Sequence, residues 1–269
     1  MADIIIIGGG PAGVSAALTA KNRGKSVFII SNGANQSNLW KAHEITNYPG
    51  CAGMSGADIL KNFRDQLNAA NIKVLPGRAL NAVQMGKKFG VSVGQNFFDG
   101  DALILASGVV QTSAYEGELE FLGKGVSYCA TCDGMLYRGK KVAVIGLNDE
   151  AEAEADALRE MGVEVMYFDK AFAKNYKILG EQRVTAIEAE GREFPVDGVF
   201  ILRSTIAPSS FLTDIELDGP HIRVDRSMKT SIAGVFAAGD CTGKPYQIAK
   251  AVGEGNVAAL SACEYLDKK

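Results

Sequence analysis

Cysteine and histidine are scarce in this chain, basic charge is not in excess, and no apolar run reaches membrane-spanning length. Five cysteines in 269 residues are too few and too scattered for a disulfide framework. Cys51, Cys241 and Cys263 have no cysteine close by in sequence and read as small buried apolar residues. Lysine and arginine total 28 against 31 aspartates and glutamates, a net charge of −3 with a pI of about 5.6. No nucleic-acid partner is expected from that balance, and no membrane span from the hydropathy. Met1-Ala2-Asp3 leads straight into a hydrophobic strand, without a basic segment or a small-residue cleavage site before it. A reducing, cytoplasmic setting is therefore expected. The remaining composition, 47% hydrophobic and 22% charged, is that of a soluble globular protein long enough for two domains.

Against that background the stretch Cys129-Ala130-Thr131-Cys132-Asp133 stands out. Two thiols separated by two small residues can close a tight disulfide, and one of them can be activated as a thiolate. The same spacing is also half of a four-ligand zinc site. His43 and His221 lie far from the pair in sequence, so proton handling beside it is expected from a carboxylic acid.

A dinucleotide-binding pattern opens the chain. Ile4–Ile7 is a wholly apolar run, as expected of a buried parallel strand. Gly8-Gly9-Gly10-Pro11-Ala12-Gly13 follows, then a small-residue helix closed by Gly24, then a second strand, Ser26–Ile30. In that context Gly8 serves the tight turn, Gly10 the approach of backbone to a pyrophosphate, and Gly13 the close packing of helix on strand. The acid commonly found after the second strand is replaced by Ser31-Asn32. Further on, Asn47-Tyr48-Pro49-Gly50 reads as a turn, and a helix is predicted from Gly56 to Ala70. Strands are predicted over Ile72–Leu75, Leu80–Met85, Phe89–Val93, Asn96–Phe98 and Asp101–Ala106, the last running into Ser107-Gly108. Near the end, the apolar strand Gly234–Ala238 meets Gly239-Asp240, and a long helix is predicted from about Gln247 to Leu266. A carboxylate at a strand end beside a helix start suits a ribityl hydroxyl, with helix amides facing a pyrophosphate.

Taken together, Gly8–Gly13, Asn47–Gly50, Ala106–Gly108, Cys129–Gly134 and Gly234–Asp240 resemble the low-molecular-weight thioredoxin reductases, in order and in position, over residues 1–145 and 205–269. The Cys-Ala-Thr-Cys-Asp motif is specific to that resemblance, and no second ligand pair exists to complete a zinc site, so no metal is expected. The resemblance implies an α/β fold of two Rossmann-like domains, the second inserted in the first and reduced. It places an FAD-binding domain at 1–111 and 207–269 and a nicotinamide-domain-like unit carrying the cysteine pair at 112–206. It further implies FAD as cofactor, a homodimer, and thioredoxin or a thioredoxin-like protein as partner. Cys132 would face the flavin, Cys129 would exchange with the partner disulfide, and Asp133 would handle the proton. Gly8, Gly10, Pro11, Ala12, Gly13, Asn38, Asn47, Ala106, Ser107, Gly108, Gly239, Asp240, Gln247, Ile248 and Ala249 would contact the cofactor.

The inserted unit departs from the family pattern. Strand Val142–Ile145 opens into Gly146-Leu147-Asn148-Asp149-Glu150-Ala151, with Asn148 where the family has glycine. A side chain there fills the place where pyrophosphate needs bare backbone. Asp149, Glu150, Glu152 and Glu154 at the following helix start repel a diphosphate. Strand Val163–Phe168 ends at Asp169, where the family carries basic residues for a 2′-phosphate; an acid there could instead hold the 2′-hydroxyl of NADH. The chain most resembles ferredoxin-dependent flavin thioredoxin reductases, so reduced ferredoxin is the expected donor. NADH or NADPH as donor, and a flavin-binding redox sensor without turnover, are the alternatives. Lys140, Lys141, Lys170, Lys174 and Lys177 are either a solvated face or a docking patch for an acidic ferredoxin. Trp40 and Tyr246 are candidates to cover the flavin ring, or ordinary packing residues.

Overall fold

The computed structural model describes residues 2–33, 37, 39–108, 115–128, 130–203 and 211–269, and for Thr131 and Cys132 the backbone only. The chain divides into two compact units, Met1–Gln111 with Ala207–Lys269, and Thr112–Ile206.

In the first unit the apolar run that opens the chain becomes β1 (Ala2–Ile7). It pairs in parallel with β2 (Val27–Ser31) on one side and β6 (Asn96–Leu105) on the other. β3 (Lys73–Pro76) adds to β2 in parallel, and β4 (Ala79–Met85) and β5 (Lys88–Val93) form an antiparallel meander on the first half of β6. The chain's return, β16 (Val235–Ala237), pairs in parallel with the second half of β6, giving a seven-stranded sheet. Two helices, α1 (Pro11–Asn22) and α5 (Ile248–Asp267), pack together over this sheet. Small residues make the approach possible: Ala12, Ala16, Ala17 and Ala20 of α1 share one core with Ala251, Ala258, Ala259 and Ala262 of α5. α2 (Gly56–Ala69) is capped by Ser55, whose hydroxyl accepts the Asp58 N–H at 3.1 Å.

One predicted break is absent. The expected strands Asn96–Phe98 and Asp101–Ala106 are a single ten-residue strand, β6. Gly100 sits mid-strand, where a Cβ would lie 2.7 Å from Ile5 Cγ1. Packing against β1 requires the missing side chain.

The second unit holds a four-stranded parallel sheet in the order β7 (Val126–Ser127), β13 (Gly198–Leu202), β8 (Lys141–Gly146), β9 (Glu164–Phe168). Alternate residues feed two cores. Val142, Val144, Phe200 and Leu202 meet Ala151, Ala155 and Leu158 of α4 (Ala151–Glu160). Ala143, Ile145, Val199 and Ile201 meet Ile178 and Ile187 of a three-stranded antiparallel sheet, β10 (Tyr176–Gly180), β11 (Val184–Ala189) and β12 (Arg192–Pro195). The short α3 (Ala130–Asp133) carries the Cys-x-x-Cys segment from Ala130 through Cys132 and the following Asp133. A two-residue hairpin, β14 (Leu217–Asp218) with β15 (His221–Ile222), belongs to the first unit. Among the described residues no helix is long and apolar enough to cross a membrane.

Candidate functional site

Three of the predicted cofactor motifs leave adjacent parallel strands at the same edge. Ile7 of β1 lies opposite Leu105 of β6, and Leu105 lies opposite Ala237 of β16. Gly8–Gly13, Ala106–Gly108 and Gly239–Asp240 therefore emerge side by side at the carboxyl ends of the strands, where open α/β sheets bind ligands. Gly8 has φ of +112°, and a Cβ on it would stand 2.1 Å from the Ala106 carbonyl oxygen. A Cβ on Gly13 would stand 1.9 Å from the Gly8 oxygen. Gly10 is different: a Cβ there would meet nothing within 4 Å. It is the N-cap of α1, contributes no side-chain cap, and is followed by Pro11 at the first helical position with no acid in the first turn. The start of α1 is thus bare backbone with its positive dipole end open.

A fourth motif joins through a contact between residues 200 positions apart: Asn47 Nδ2 donates to Gln247 Oε1 at 2.7 Å. The turn just after Asn47 spans Tyr48–Cys51, one residue later than predicted, and is closed by Cys51 N–H donating to the Tyr48 carbonyl at 3.1 Å, with Gly50 at φ +81°. Gln247 is the N-cap of α5, whose first turn, with Ile248 and Ala249, also lacks acidic residues and a side-chain cap. Burial pushes the Asp240 carboxyl above its ordinary value; Lys250 draws it back and Glu254 adds to the rise. Trp40 and Tyr246 are both exposed, and Tyr246 shares a 2.8 Å hydrogen bond with His221 Nε2. The predicted contact at Asn38 lies outside the described residues.

In the second unit, Cys129 also lies outside the described residues, and Cys132 is known only as backbone within α3. Asp133 is fixed: its Oδ2 accepts the Ser127 hydroxyl at 2.7 Å. The second nucleotide motif is occupied by its own side chains. Asn148 Oδ1 accepts the Glu150 N–H at 2.9 Å, closing the turn before α4, and Glu152 and Glu154 fill the first turn. The Tyr167 hydroxyl stands only 2.2 Å from where a Gly146 Cβ would be. Asp169, the candidate for a ribose hydroxyl, turns its Oδ1 onto the Ala171 and Phe172 N–H groups at 2.8 and 2.9 Å. Of the five lysines, Lys141, Lys170 and Lys177 pair with Glu164, Asp149 and Glu116, so the face is mixed in charge and favours the solvated-surface reading. Cys241 and Cys263 are buried as expected, burial pushing the Cys241 thiol up to about 12, whereas Cys51 is only half-buried because it sits in the surface turn after Tyr48.

The family model described as pyridine nucleotide-disulphide oxidoreductase matches residues 2–171 and 147–255. A curated thioredoxin reductase of Treponema pallidum is 32% identical over 98% of this chain and 97% of its own length. That alignment spans 298 positions, more than the 269 residues here, so the relative carries segments this chain lacks. Among solved structures, a ferredoxin-flavin thioredoxin reductase from Clostridium acetobutylicum superposes with a TM-score of 0.90 at 40% identity, covering 99% of this chain and 98% of that one. A thioredoxin reductase from Gloeobacter violaceus superposes with a TM-score of 0.79 at 31% identity, covering 99% and 94%.

The chain belongs to the pyridine nucleotide-disulphide oxidoreductase family.

Within that family it is an oxidoreductase of the thioredoxin reductase type, and FAD is the cofactor of these enzymes. The first unit fits that group. Bare backbone at Gly10, an uncapped and acid-free start to α1, and the half-buried Asp240 beside it provide anion-binding amides and a hydroxyl acceptor. Lys250 and Glu254, one helical turn apart on α5, were not singled out from sequence. Glu254 Oε2 accepts the Gly239 N–H at 2.8 Å and the Thr242 hydroxyl at 2.9 Å. Lys250 Nζ donates to the Gly239 and Gly243 carbonyls at 2.9 and 2.7 Å. Together they hold the loop that presents Asp240. Their spacing of four on a helix was visible; their loop target was not.

Proposed function

We propose that this chain reduces thioredoxin, or a thioredoxin-like protein, through FAD and the Cys129–Cys132 pair, with reduced ferredoxin as the electron donor. Residues 1–111 and 207–269 form the FAD-binding domain in this reading, and 112–206 form a nicotinamide-domain-like insert that presents the cysteines. The enzyme works as a cytoplasmic homodimer, as the family resemblance implies. The observation that carries the donor assignment is the contrast between two helix starts. That of α1 is free of acids, whereas that of α4 follows a turn closed by Asn148 and carries Glu152 and Glu154 in its first turn. One dinucleotide is welcomed and a second is repelled. The name of the Clostridium acetobutylicum neighbour supports the same donor.

When bound, FAD supplies the exchange between single electrons and electron pairs that links a ferredoxin to a disulfide. The chain's own residues do the rest. The Cys129 thiolate attacks one sulfur of the partner disulfide; an interchain S–S bond forms, the partner's S–S bond breaks, and the leaving thiolate takes a proton. The Cys132 thiolate then attacks Cys129 Sγ, closing the internal disulfide and releasing the second partner thiol. Two electrons and two protons pass to the partner. Asp133, held by Ser127, is the proton-handling group next to Cys132. Met135 and Leu136, 58% and 69% exposed immediately after Gly134, offer an apolar surface on which the partner can dock.

The test is the reductive half-reaction. Mixed anaerobically with photoreduced ferredoxin, NADPH or NADH in parallel, the flavin should bleach rapidly with ferredoxin alone. Rapid bleaching by either nicotinamide would overturn the donor assignment. Bleaching by ferredoxin with no thiols appearing on thioredoxin would favour a redox sensor.

A further inference from the structure

The second unit buries a charge pair that the proposed chemistry does not use. Glu118 is 2% exposed and Arg203 9%. Arg203 Nη1 and Nη2 both donate to the Glu118 carboxylate, the second at 2.8 Å, and the guanidinium lies 4.8 Å from the centre of the Tyr115 ring. The carboxylate accepts two further bonds, from the Tyr115 N–H at 2.8 Å and the Tyr128 hydroxyl at 2.9 Å. Burying an ion pair gains little over apolar packing, so its retention points to a geometric task.

That task is visible in what the pair holds. Tyr128 directly precedes Cys129. Ser127, one residue earlier, donates to Asp133, which directly follows Cys132. Strand β7 ends at Ser127 and lies beside β13, whose end leads into Arg203. The five-residue redox segment is therefore bracketed. Its trailing acid is tied back to the strand before it, and Tyr128, the residue just ahead of the segment, is tied to the buried ion pair.

We infer that Tyr128 and Glu118 are positioning residues that set the dithiol–disulfide equilibrium of Cys129 and Cys132, an inference that rests on the redox role proposed for that pair. The stability of a disulfide depends on how firmly each thiol is presented to the other. Freeing the flank of Cys129 lowers the effective concentration of its thiol against Cys132, so the couple shifts toward the dithiol. No electrons beyond those of the proposed reaction are needed.

The experiment equilibrates the holoenzyme in a series of dithiothreitol buffers, quenches with acid, alkylates, and reads the state of Cys129 and Cys132 by mass spectrometry. Tyr128→Phe removes one hydroxyl and leaves the ring and ion pair. It should shift the equilibrium about tenfold toward the dithiol, roughly 30 mV for this two-electron couple, while melting near the wild-type temperature. Glu118→Gln should shift it in the same direction at a lower melting temperature, because the Arg203 charge loses its counter-ion. The double variant should shift it no further than Glu118→Gln alone, since both changes cut one link. A Tyr128→Phe couple within twofold of wild type overturns the inference alone. A wild type that forms no Cys129–Cys132 disulfide at any buffer ratio overturns the functional reading and the inference together.

Discussion

Gly10→Ala separates cofactor binding from folding. Gly10 has φ −82° and ψ −173°, an extended conformation open to any residue, and a Cβ there meets nothing within 4 Å. Two small terms act on the apoprotein. Alanine is a poorer N-cap than glycine by roughly 0.5–1 kcal/mol. Restricting the unfolded chain returns about 0.4–1 kcal/mol. The two nearly offset, so the apoprotein should melt within a few degrees of wild type. The cofactor meets a different situation. The added methyl stands where the diphosphate approaches the start of α1, and pushing it back weakens charge-assisted hydrogen bonds worth about 1.5–3 kcal/mol each. At about 1.4 kcal/mol per tenfold, losing one such bond weakens FAD binding roughly 10- to 100-fold. The assay is a calorimetric FAD titration of the apoprotein, alongside melting by circular dichroism. Gly13→Ala is the control: its Cβ would clash at 1.9 Å with the Gly8 oxygen, so it should cost folding stability itself, by about 1–3 kcal/mol. Wild-type FAD affinity in Gly10→Ala would refute the placement of the diphosphate. Equal loss of apoprotein stability would refute the claim that the space above Gly10 is open.

Asn148→Gly removes the acceptor of the Glu150 N–H and should destabilise the second unit by about 0.5–1.5 kcal/mol, read from urea unfolding. It should not on its own confer flavin reduction by NADPH, because Asp149, Glu150, Glu152 and Glu154 remain; a large gain would contradict the electrostatic argument. Asp240→Asn should stabilise the apoprotein at pH 7 yet weaken FAD binding. The Asp240 carboxyl titrates above its unfolded value of 3.8 when folded, so its cost is absent below that pH, grows as pH rises, and is complete above the folded value. The stability gain should therefore fade as pH falls toward 3.8, and an unchanged gain there would assign it to something other than ionisation. Leu136→Ser removes an exposed apolar side chain worth about 1.5–3 kcal/mol if fully covered by the partner. It should lower kcat/KM for thioredoxin about tenfold with flavin reduction unchanged, and an unaltered value would move the docking surface elsewhere.

Local chemistry accounts for what was legible in the sequence. The Gly8–Gly13 loop is governed by contacts within one strand–turn–helix unit, and its glycine spacing states them directly. Asn148 was legible for the same reason, since its hydrogen bond reaches only two residues ahead. The continuity of β6 was not legible, because what fits Gly100 into mid-strand lies across the sheet at Ile5. The hydrogen bond from Asn47 to Gln247 and the Glu118–Arg203 pair join residues far apart in sequence, and nothing in their neighbours announces the partner. The four-residue spacing of Lys250 and Glu254 says nothing of the Gly239–Gly243 loop, onto which both are turned.

The central claim is that electrons enter from a one-electron protein donor and leave as a pair through Cys129 and Cys132. A sealed anaerobic turnover of enzyme, thioredoxin and a limited amount of reduced ferredoxin tests it directly, by counting thiols formed on thioredoxin against ferredoxin oxidised. The account predicts one thioredoxin disulfide reduced for every two ferredoxins consumed, with negligible turnover when NADPH replaces ferredoxin and none in Cys132→Ser. Turnover with NADPH at a rate matching ferredoxin, or thiols formed by Cys132→Ser, would contradict it.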